Sequence, residues 1–227
     1  MKTDPNRTGA AILLGAGGHA KVVLSLARVL GWDVIGVCDP ALAAADDLQA
    51  WRGVRVLGAD AALAGVAPGT VALLNGVGQI PGSSARQTLF EEWSARGFRF
   101  PVLIHPSASV DPSALLDEGV QVMAGAVIQA DATVGRNTIV NTQASVDHDD
   151  VIGAHVHIAP GATLCGSVNV GDGAYIGAGA TVVQGVHIGS GAFLTAGALL
   201  TRNLAKAGRW PAREVAHSPV ISQEQSK

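Results

Sequence analysis

The chain has 227 residues, a formal net charge of −3 and only 15% charged residues. That length suits one large domain or two small ones, and the charge offers no general attraction for nucleic acid, although it leaves room for a local phosphate pocket. Aromatic residues make up 4% while Gly and Ala abound, which disfavours a bulky core and suits thin repeated layers of small side chains. Cys38 and Cys165 have neither metal-ligand spacing nor the look of a secreted disulfide framework. The polar stretch Met1–Thr8 lacks the apolar region of a signal peptide, and no run of apolar residues is long enough to span a bilayer. The expectation is a cytoplasmic protein with neither nucleic acid nor membrane as partner.

Residues 1–8 are expected to be disordered or extended. Ala10–Leu14 reads as a strand, followed by Gly15-Ala16-Gly17-Gly18-His19-Ala20-Lys21 and then apolar residues at helical spacing, Val22, Val23, Leu26, Val29 and Leu30. A second strand, Val34–Cys38, ends at Asp39-Pro40. Val54–Leu57 and Val71–Leu74 are further strands, and Ser84–Arg96 is a helix carrying Leu89, Phe90 and Trp93 on one side. This alternation implies a small parallel sheet. A glycine-rich turn from strand to helix aims backbone N–H groups at an anion, and an acidic residue closing the second strand can reach a ribose hydroxyl. Gly15, Gly17 and Asp39 are therefore compatible with a dinucleotide, although only one mononucleotide-binding half fits here. A turn built only for packing is the plainer alternative.

A repeat begins at Ile104. Stepping by six from there to Leu200, all seventeen positions are Ile, Val or Leu. Four residues after each of the first sixteen, from Ala108 to Ala198, stands a small or β-branched residue, with Asp150 the one exception. Neither a helical nor a strand period explains six. Short strands joined by tight corners do: three sides close a coil, and coils stack at about 4.8 Å. Gly frequently follows the aliphatic residue, as at Gly135, Gly153, Gly171, Gly177 and Gly189, and the reading here is that the corner demands an unusual backbone conformation. No long loop interrupts the repeat, so a pocket on it needs walls from the first hundred residues or from another subunit.

Within the repeat, His148, His155 and His157 fall in the string from Val146 to His157. Asp150 puts a carboxylate on an inward ladder, which is costly unless it is partnered or opens to a cavity, and such a broken rule beside a histidine marks a candidate site. A histidine with a carboxylate beside it suits a general base. At the C-terminal end, Gly208-Arg209-Trp210-Pro211-Ala212-Arg213 offers an aromatic ring and cations.

The repeat resembles the hexapeptide-repeat acyltransferases, and the string Gly15–Lys21 ahead of it is similar to a family of bacterial sugar acetyltransferases. That family includes the bacillosamine-pathway and perosamine N-acetyltransferases and the sialic acid O-acetyltransferases, and the likeness runs from about Ala10 to Ala212. It implies a Rossmann-like α/β domain at 9–102, an all-β left-handed parallel β-helix at 103–204, and a C-terminal segment at 205–227. The general rule for parallel crossovers would give the right hand, so the left hand comes from the resemblance alone. The resemblance further implies a homotrimer with active sites between subunits, acetyl-CoA as donor, no metal, and an acceptor amine on a nucleotide-linked sugar for surface polysaccharide or glycan synthesis. It places Gly15, Gly17, Gly18 and His19 near the diphosphate and Asp39 near the nucleoside. Gly76, in Asn75-Gly76-Val77-Gly78, and Arg86 fall beside the same ligand. His148 becomes the base, with Asp149 its partner. His157, nine residues on, contacts acetyl-CoA, as do Gly166, Gly177, Ala178, Arg209 and Trp210, while Arg213 is a further phosphate candidate. Val122-Met123-Ala124-Gly125 is closest to perosamine-type enzymes. Three rivals stand beside this reading: O-acetylation of a sialic-acid-like sugar, a zinc enzyme like the γ-class carbonic anhydrases using the clustered histidines, and a sugar-nucleotide sensor without catalysis.

Overall fold

The computed structural model describes residues 9–45 and 49–211. The expected extended N-terminus and the residues from 212 onward, Ala212 and Arg213 among them, lie outside the described residues.

Eight elements build the first unit. They are β1 (Ala10–Leu14), α1 (Gly18–Val29), β2 (Asp33–Cys38), α2 (Pro40–Ala43), β3 (Ala50–Trp51), β4 (Val54–Gly58), β5 (Ala72–Asn75) and α3 (Ala85–Ala95). The sheet order is β3-β4-β2-β1-β5, parallel throughout except for the short β3–β4 pair. Central β1 is buried from Ala11 to Leu14, as a strand covered on both faces must be. Helix α1 buries Ala20, Val23, Leu24, Leu26 and Ala27, whereas Val22 and Val29 face solvent. Two of the residues expected on its apolar side are thus off it, because the two alanines share the buried stripe. Helix α3 buries Phe90 and Trp93 as expected, and also Arg86.

From Leu103 the chain winds through two-residue strands six residues apart. Up to Leu200 each pairs in parallel with the strand eighteen residues away, as in Val110↔Ile128↔Val146↔Leu164, and a last strand, Arg209–Trp210, pairs with Phe193–Leu194, sixteen residues before it. The result is a parallel β-helix with three sheets of seven, six and five strands. In chain order its first face holds Gln121–Val122 and His157–Ile158, the second Ser145–Val146, and the third Val151–Ile152. The aliphatic ladder is buried from Val122 to Leu200. Ile104, Val110 and Leu116 are only half-buried, for the first coil is covered from one side alone.

The glycines after the aliphatic residues are explained differently from the expectation. None of them has positive φ. A Cβ on Gly171 would instead lie 2.5 Å from Ser190 N, and one on Gly177 2.4 Å from Ala196 N, so it is the close backbone of the next coil that excludes a side chain. The left-handed conformation falls two residues further along, at Gly125, Asn137, Asp149, His155, Gly173 and Gly179 among others. Asn and Asp tolerate it better than most residues.

The first unit sits on the upper part of the first face. Leu103, Met123 and Ile139 share one core with Val23, Leu24 and Leu26 of α1. Hydrogen bonds link Phe100 N to Glu118 Oε1 at 2.9 Å and Asn75 Nδ2 to Asn137 Oδ1 at 3.1 Å.

Gly171→Ala is expected to cost about 3 kcal/mol in urea unfolding, since backbone cannot yield to the new methyl. Gly173→Ala, at φ +68 with open space around it, is expected to cost about 1 kcal/mol.

Candidate active site

The glycine-rich turn forms where β1 runs out. Gly15 adopts φ +90 and its N–H donates to Cys38 O at 2.7 Å. Asp39 accepts from Ala16 N at 2.8 Å through Oδ2, and from Ala41 and Leu42 N through Oδ1. Its carboxylate therefore clamps the turn and caps α2 together. Gly17 and Gly18 are exposed, with nothing near the place of a Cβ, and they open the N-terminus of α1 with no side-chain cap. This end of the helix can receive an anion. Gly76 is buried, and a Cβ there would lie 2.8 Å from Ala20 Cβ and Leu14 O, so packing of the β5 loop against α1 accounts for it.

His19 leaves the same turn and reaches the first face, where Nε2 meets Gln121 Oε1 at 2.8 Å. Gln121 Nε2 already donates to Asn75 O at 2.9 Å, so Gln121 Oε1 is the acceptor and His19 Nε2 carries the proton. Burial, then the Arg86 charge, lowers the His19 pKa to about 4. Arg86 itself is fully enclosed. Its Nη1 donates to Asn75 O and Val77 O and its Nε to Asn137 O, with Nη2 buried and unpartnered. Burial lowers its pKa to about 9. Arg86 thus ties the β5 loop to the coils.

The three neighbouring histidines part company. His155 occupies a left-handed corner between the third and first faces, with Nδ1 2.9 Å from Asn137 Nδ2 and its ring edge-on to Phe90 of α3. It belongs to the junction of the two units. His157 stands on the first face just below that junction, its ring stacked on Tyr175 at 4.8 Å and 8°. Its Nδ1 is buried without a partner. Burial, followed by the nearby His19 and Arg86, lowers its pKa to about 3, which keeps it neutral.

His148 lies on the corner between the second and third faces. Its side chain is 60% exposed, with Nδ1 2.7 Å from Asp149 Oδ2. That hydrogen bond raises its pKa above the usual imidazole value. The corner is built to hold it: Asp147 Oδ1 accepts from His148 N, and Ser167 N donates to His148 O. Asp149 supplies the left-handed residue, at φ +59. The His148 ring lies over Gly166 in the next coil, where a Cβ would come 2.5 Å from Nε2. Gly177 and Ala178 form a corner between the first and second faces, and Ala178 is exposed.

Asp150 is fully buried, and its carboxylate serves the backbone rather than the His148 ring. It accepts from Val168 N at 2.7 Å and Asp147 N at 3.0 Å. Burial outweighs those two donors and raises its carboxyl pKa to about 7. Its break in the ladder is explained by the corner that presents His148.

In a triangular prism the corner between two faces lies opposite the remaining face. His148 therefore points away from the first face, where His19 and His157 are found. Nine residues is half an eighteen-residue coil, so one chain cannot bring them together. No group of three or more His, Cys, Asp or Glu side chains able to hold a metal is found among the described residues. No helix among them is long and apolar enough to cross a membrane.

At the C-terminal end, Arg202, Asn203, Leu204, Arg209 and Trp210 line a cavity of about 800 Å³. Trp210 Nε1 donates to Leu199 O at 3.1 Å, and the Arg202 guanidinium lies 4.9 Å from its ring centre. One face of Trp210 is thus already covered. No local motif marks Tyr175 and Phe193, although the eighteen-residue step from His157 leads to both.

Comparison with known proteins places this architecture in a class, the hexapeptide-repeat acetyltransferases. The model of the PglD N-terminal domain matches residues 10–92, and that of the bacterial transferase hexapeptide (six repeats) matches residues 151–184. The acetyltransferase domain of PglB from Neisseria gonorrhoeae FA1090, solved with acetyl coenzyme A, is 37% identical over 89% of this chain and 95% of its own, with a TM-score of 0.80. PerB from Caulobacter crescentus, solved with CoA and GDP-perosamine, is 39% identical over 88% of this chain and 93% of its own, also at 0.80. WeeI from Acinetobacter baumannii AYE, 22% identical over 89% and 96%, has the same fold at a TM-score of 0.78. The chain belongs to the family of PglB and PerB, acetyltransferases with a Rossmann-like domain ahead of a left-handed β-helix.

Asp150→Ala is expected to lower stability in urea by about 2 kcal/mol, because two buried N–H groups lose their acceptor. Asp150→Asn, which keeps one acceptor oxygen, is expected to cost less.

Proposed function

We propose that the chain transfers acetyl from acetyl-CoA to the amine of a nucleotide-linked 4-amino-4,6-dideoxy sugar, with His148 as base. The observation that carries this is the His148–Asp149 pair at 2.7 Å, with Nε2 left free over a glycine. The likeness to PerB, solved with CoA and GDP-perosamine, and to PglB, solved with acetyl coenzyme A, supports donor and acceptor class. We read residues 9–102 as the sugar-nucleotide unit and 103–204 as the acyl-transfer unit, acting in the cytoplasm.

The chemistry needs few groups. The amine nitrogen attacks the thioester carbonyl, His148 Nε2 takes the amine proton, the C–S bond breaks and the thiolate leaves. The Asp149 carboxylate fixes the tautomer of His148 and stabilises the imidazolium. Neutral His157, its Nδ1 buried, would turn Nε2–H toward the carbonyl oxygen as negative charge develops there. The open helix end at Gly17 and Gly18 suits the diphosphate, with Gly15 shaping the turn, His19 beside it and Asp39 holding it in place. Arg86 and Gly76 support that site from behind. Gly166, Gly177, Ala178, Arg209 and Trp210 form the coenzyme side.

Because His148 faces away from His19 and His157, the site is completed by a second copy. The contact is heterologous, corner against face, and such contacts form a ring where the rotation closes. A homotrimer satisfies this.

CoA release measured over a panel of UDP-, GDP- and dTDP-linked amino sugars, with matched hydroxyl sugars, tests the reading. Transfer to amines is expected, and His148→Ala is expected to lose ~10²- to 10⁴-fold in kcat. Transfer to the hydroxyl sugars alone would favour O-acetylation, and unchanged turnover in His148→Ala would remove the base. Since neutral imidazole is the active form, kcat/KM is expected to rise with pH through a value above the ordinary imidazole pKa. Asp149→Asn, which keeps the left-handed corner, is expected to move that limb to lower pH and to reduce kcat.

A further inference from the structure

Where the two units meet, the direction of the hydrogen bonds around His19 is fixed by a backbone carbonyl, which only accepts. Asn75 O receives Arg86 Nη1 at 3.1 Å and Gln121 Nε2 at 2.9 Å. The buried amide of Gln121 therefore cannot turn over, and it presents Oε1 to His19 Nε2 at 2.8 Å. His19 Nε2 must carry the proton, and Nδ1 is the bare nitrogen. Burial and the Arg86 charge, which hold the His19 pKa at about 4, keep the ring in that neutral form. Nδ1 has no partner among the described residues, yet it is not a buried orphan like Nδ1 of His157, so it opens to solvent. On the other side the β5 loop passes so close that a Cβ on Gly78 would lie 3.2 Å from His19 Cβ.

We infer that Gln121 is a positioning residue: it locks His19 in the Nε2–H tautomer, so that Nδ1 accepts a hydrogen bond from an O–H or N–H on the sugar ring of the acceptor. His19 is the second residue of α1, one place beyond Gly18 at the open end of the helix. A diphosphate held there offers only acceptor oxygens, and a bare ring nitrogen gives such oxygens nothing to bind. The neutral ring adds no cation either. A sugar hydroxyl or amide, by contrast, brings the hydrogen that Nδ1 lacks. Spacing agrees with this division of labour. Gln121, Ile139 and His157 stack in register on the first face, and two coil steps, ~10 Å, separate the first from the last. One pyranose fits that interval, between phosphates at the helix end and an amine at the thioester. The turn holds the phosphates and His19 reads the sugar. The β-helix thus takes part in choosing the acceptor through a glutamine that does not touch it.

This inference rests on the acetyl-transfer reading, and nitrogen NMR separates the two because it needs no turnover. In the intact protein with isotope-labelled histidine, His19 is expected to show a protonated Nε2 and a bare Nδ1 at neutral pH. UDP, GDP or dTDP alone is expected to leave the Nδ1 resonance in place. Of the 4-amino-4,6-dideoxy sugars linked to these nucleotides, the one that binds is expected to move it upfield, by hydrogen bonding to the lone pair. Gln121→Met removes the lock and is expected to raise the KM for that amino sugar about 5-fold, the loss of one hydrogen bond, with the KM for acetyl-CoA within ~2-fold. Gln121→Glu sets a carboxylate against Nε2 and is expected to bring the His19 titration up from about 4 toward the ordinary imidazole range. Arg86 and neutral His157 are the other titratable groups that bear on the ring. Below its new pKa the ring carries a proton on Nδ1 as well and has no acceptor to offer. The amino-sugar KM of Gln121→Glu is therefore expected to fall, relative to wild type, as pH rises through that value. His155 is the internal control: Asn75 Nδ2 donates to Asn137 Oδ1, which turns Asn137 Nδ2 to His155 Nδ1, so its proton lies on Nε2 and is expected to stay there in both variants. A proton on Nδ1 of His19 in the wild type would overturn the inference, as would an Nδ1 shift caused by a nucleotide alone or an amino-sugar KM unchanged in both variants. A sugar nucleotide that moves Nδ1 yet accepts no acetyl would sink the functional reading and leave the tautomer lock standing.

Discussion

Each coil hands its backbone N–H and C=O groups to the coils above and below, and this hydrogen bonding fixes where every other group of the β-helix must go. It allows no slippage, since a shift would move the aliphatic ladder off the interior. Residues eighteen apart are consequently stacked neighbours. Around the candidate site the pairs follow that rule: His148 over Gly166, Asp150 with Val168 N, Asn137 with His155, and Thr138 Oγ1 with Val156 N. The groups of the candidate site are thus held by the same ladder that folds the chain, without a dedicated frame.

Much of this was readable in the sequence, because period six is a direct imprint of geometry. The aliphatic positions, the three-sided coil and the parallel sheet ahead of it all follow from spacing. What escaped is what spacing does not encode. The glycines after the aliphatic residues were assigned to backbone conformation, whereas they answer to the approach of a neighbouring coil, a contact eighteen residues distant. The left-handed corners carry Asp, Asn, Gln, His and Ser as well as Gly, so no single residue type announces them. Helix α2, strand β3 and the 3₁₀ turn at Asp60–Gly65 are too short for any periodic signal.

At the candidate site, adjacency alone does not choose between Asp147 and Asp149 as partner of His148; the resemblance points to Asp149, and the 2.7 Å contact is with that residue. Asp150 was legible as an anomaly but not in its purpose, for the backbone donors it serves belong to another coil. Asp39 and Arg86 are polar residues drawn into holding the polypeptide itself, one at the glycine-rich turn and the other where the two units meet. The type and place of Asp39 suggested a ligand, as the resemblance did for Arg86, and only the hydrogen-bond partners reveal how much of each side chain is already engaged. Phe193, on the same stack as His157, lies thirty-six residues from it, beyond the reach of any local motif.

The regular winding also governs how such a chain can change over time. Removing a whole coil shortens the prism and leaves every lower side chain on its own face. Removing a single hexad advances everything beneath it by one third of a turn, so that Tyr175 would leave its histidine and emerge beside an unrelated surface. Length variation in this part of the molecule is therefore quantised, and the freedom to acquire new segments is confined to the corners, where an inserted loop can leave and rejoin the winding without disturbing the count.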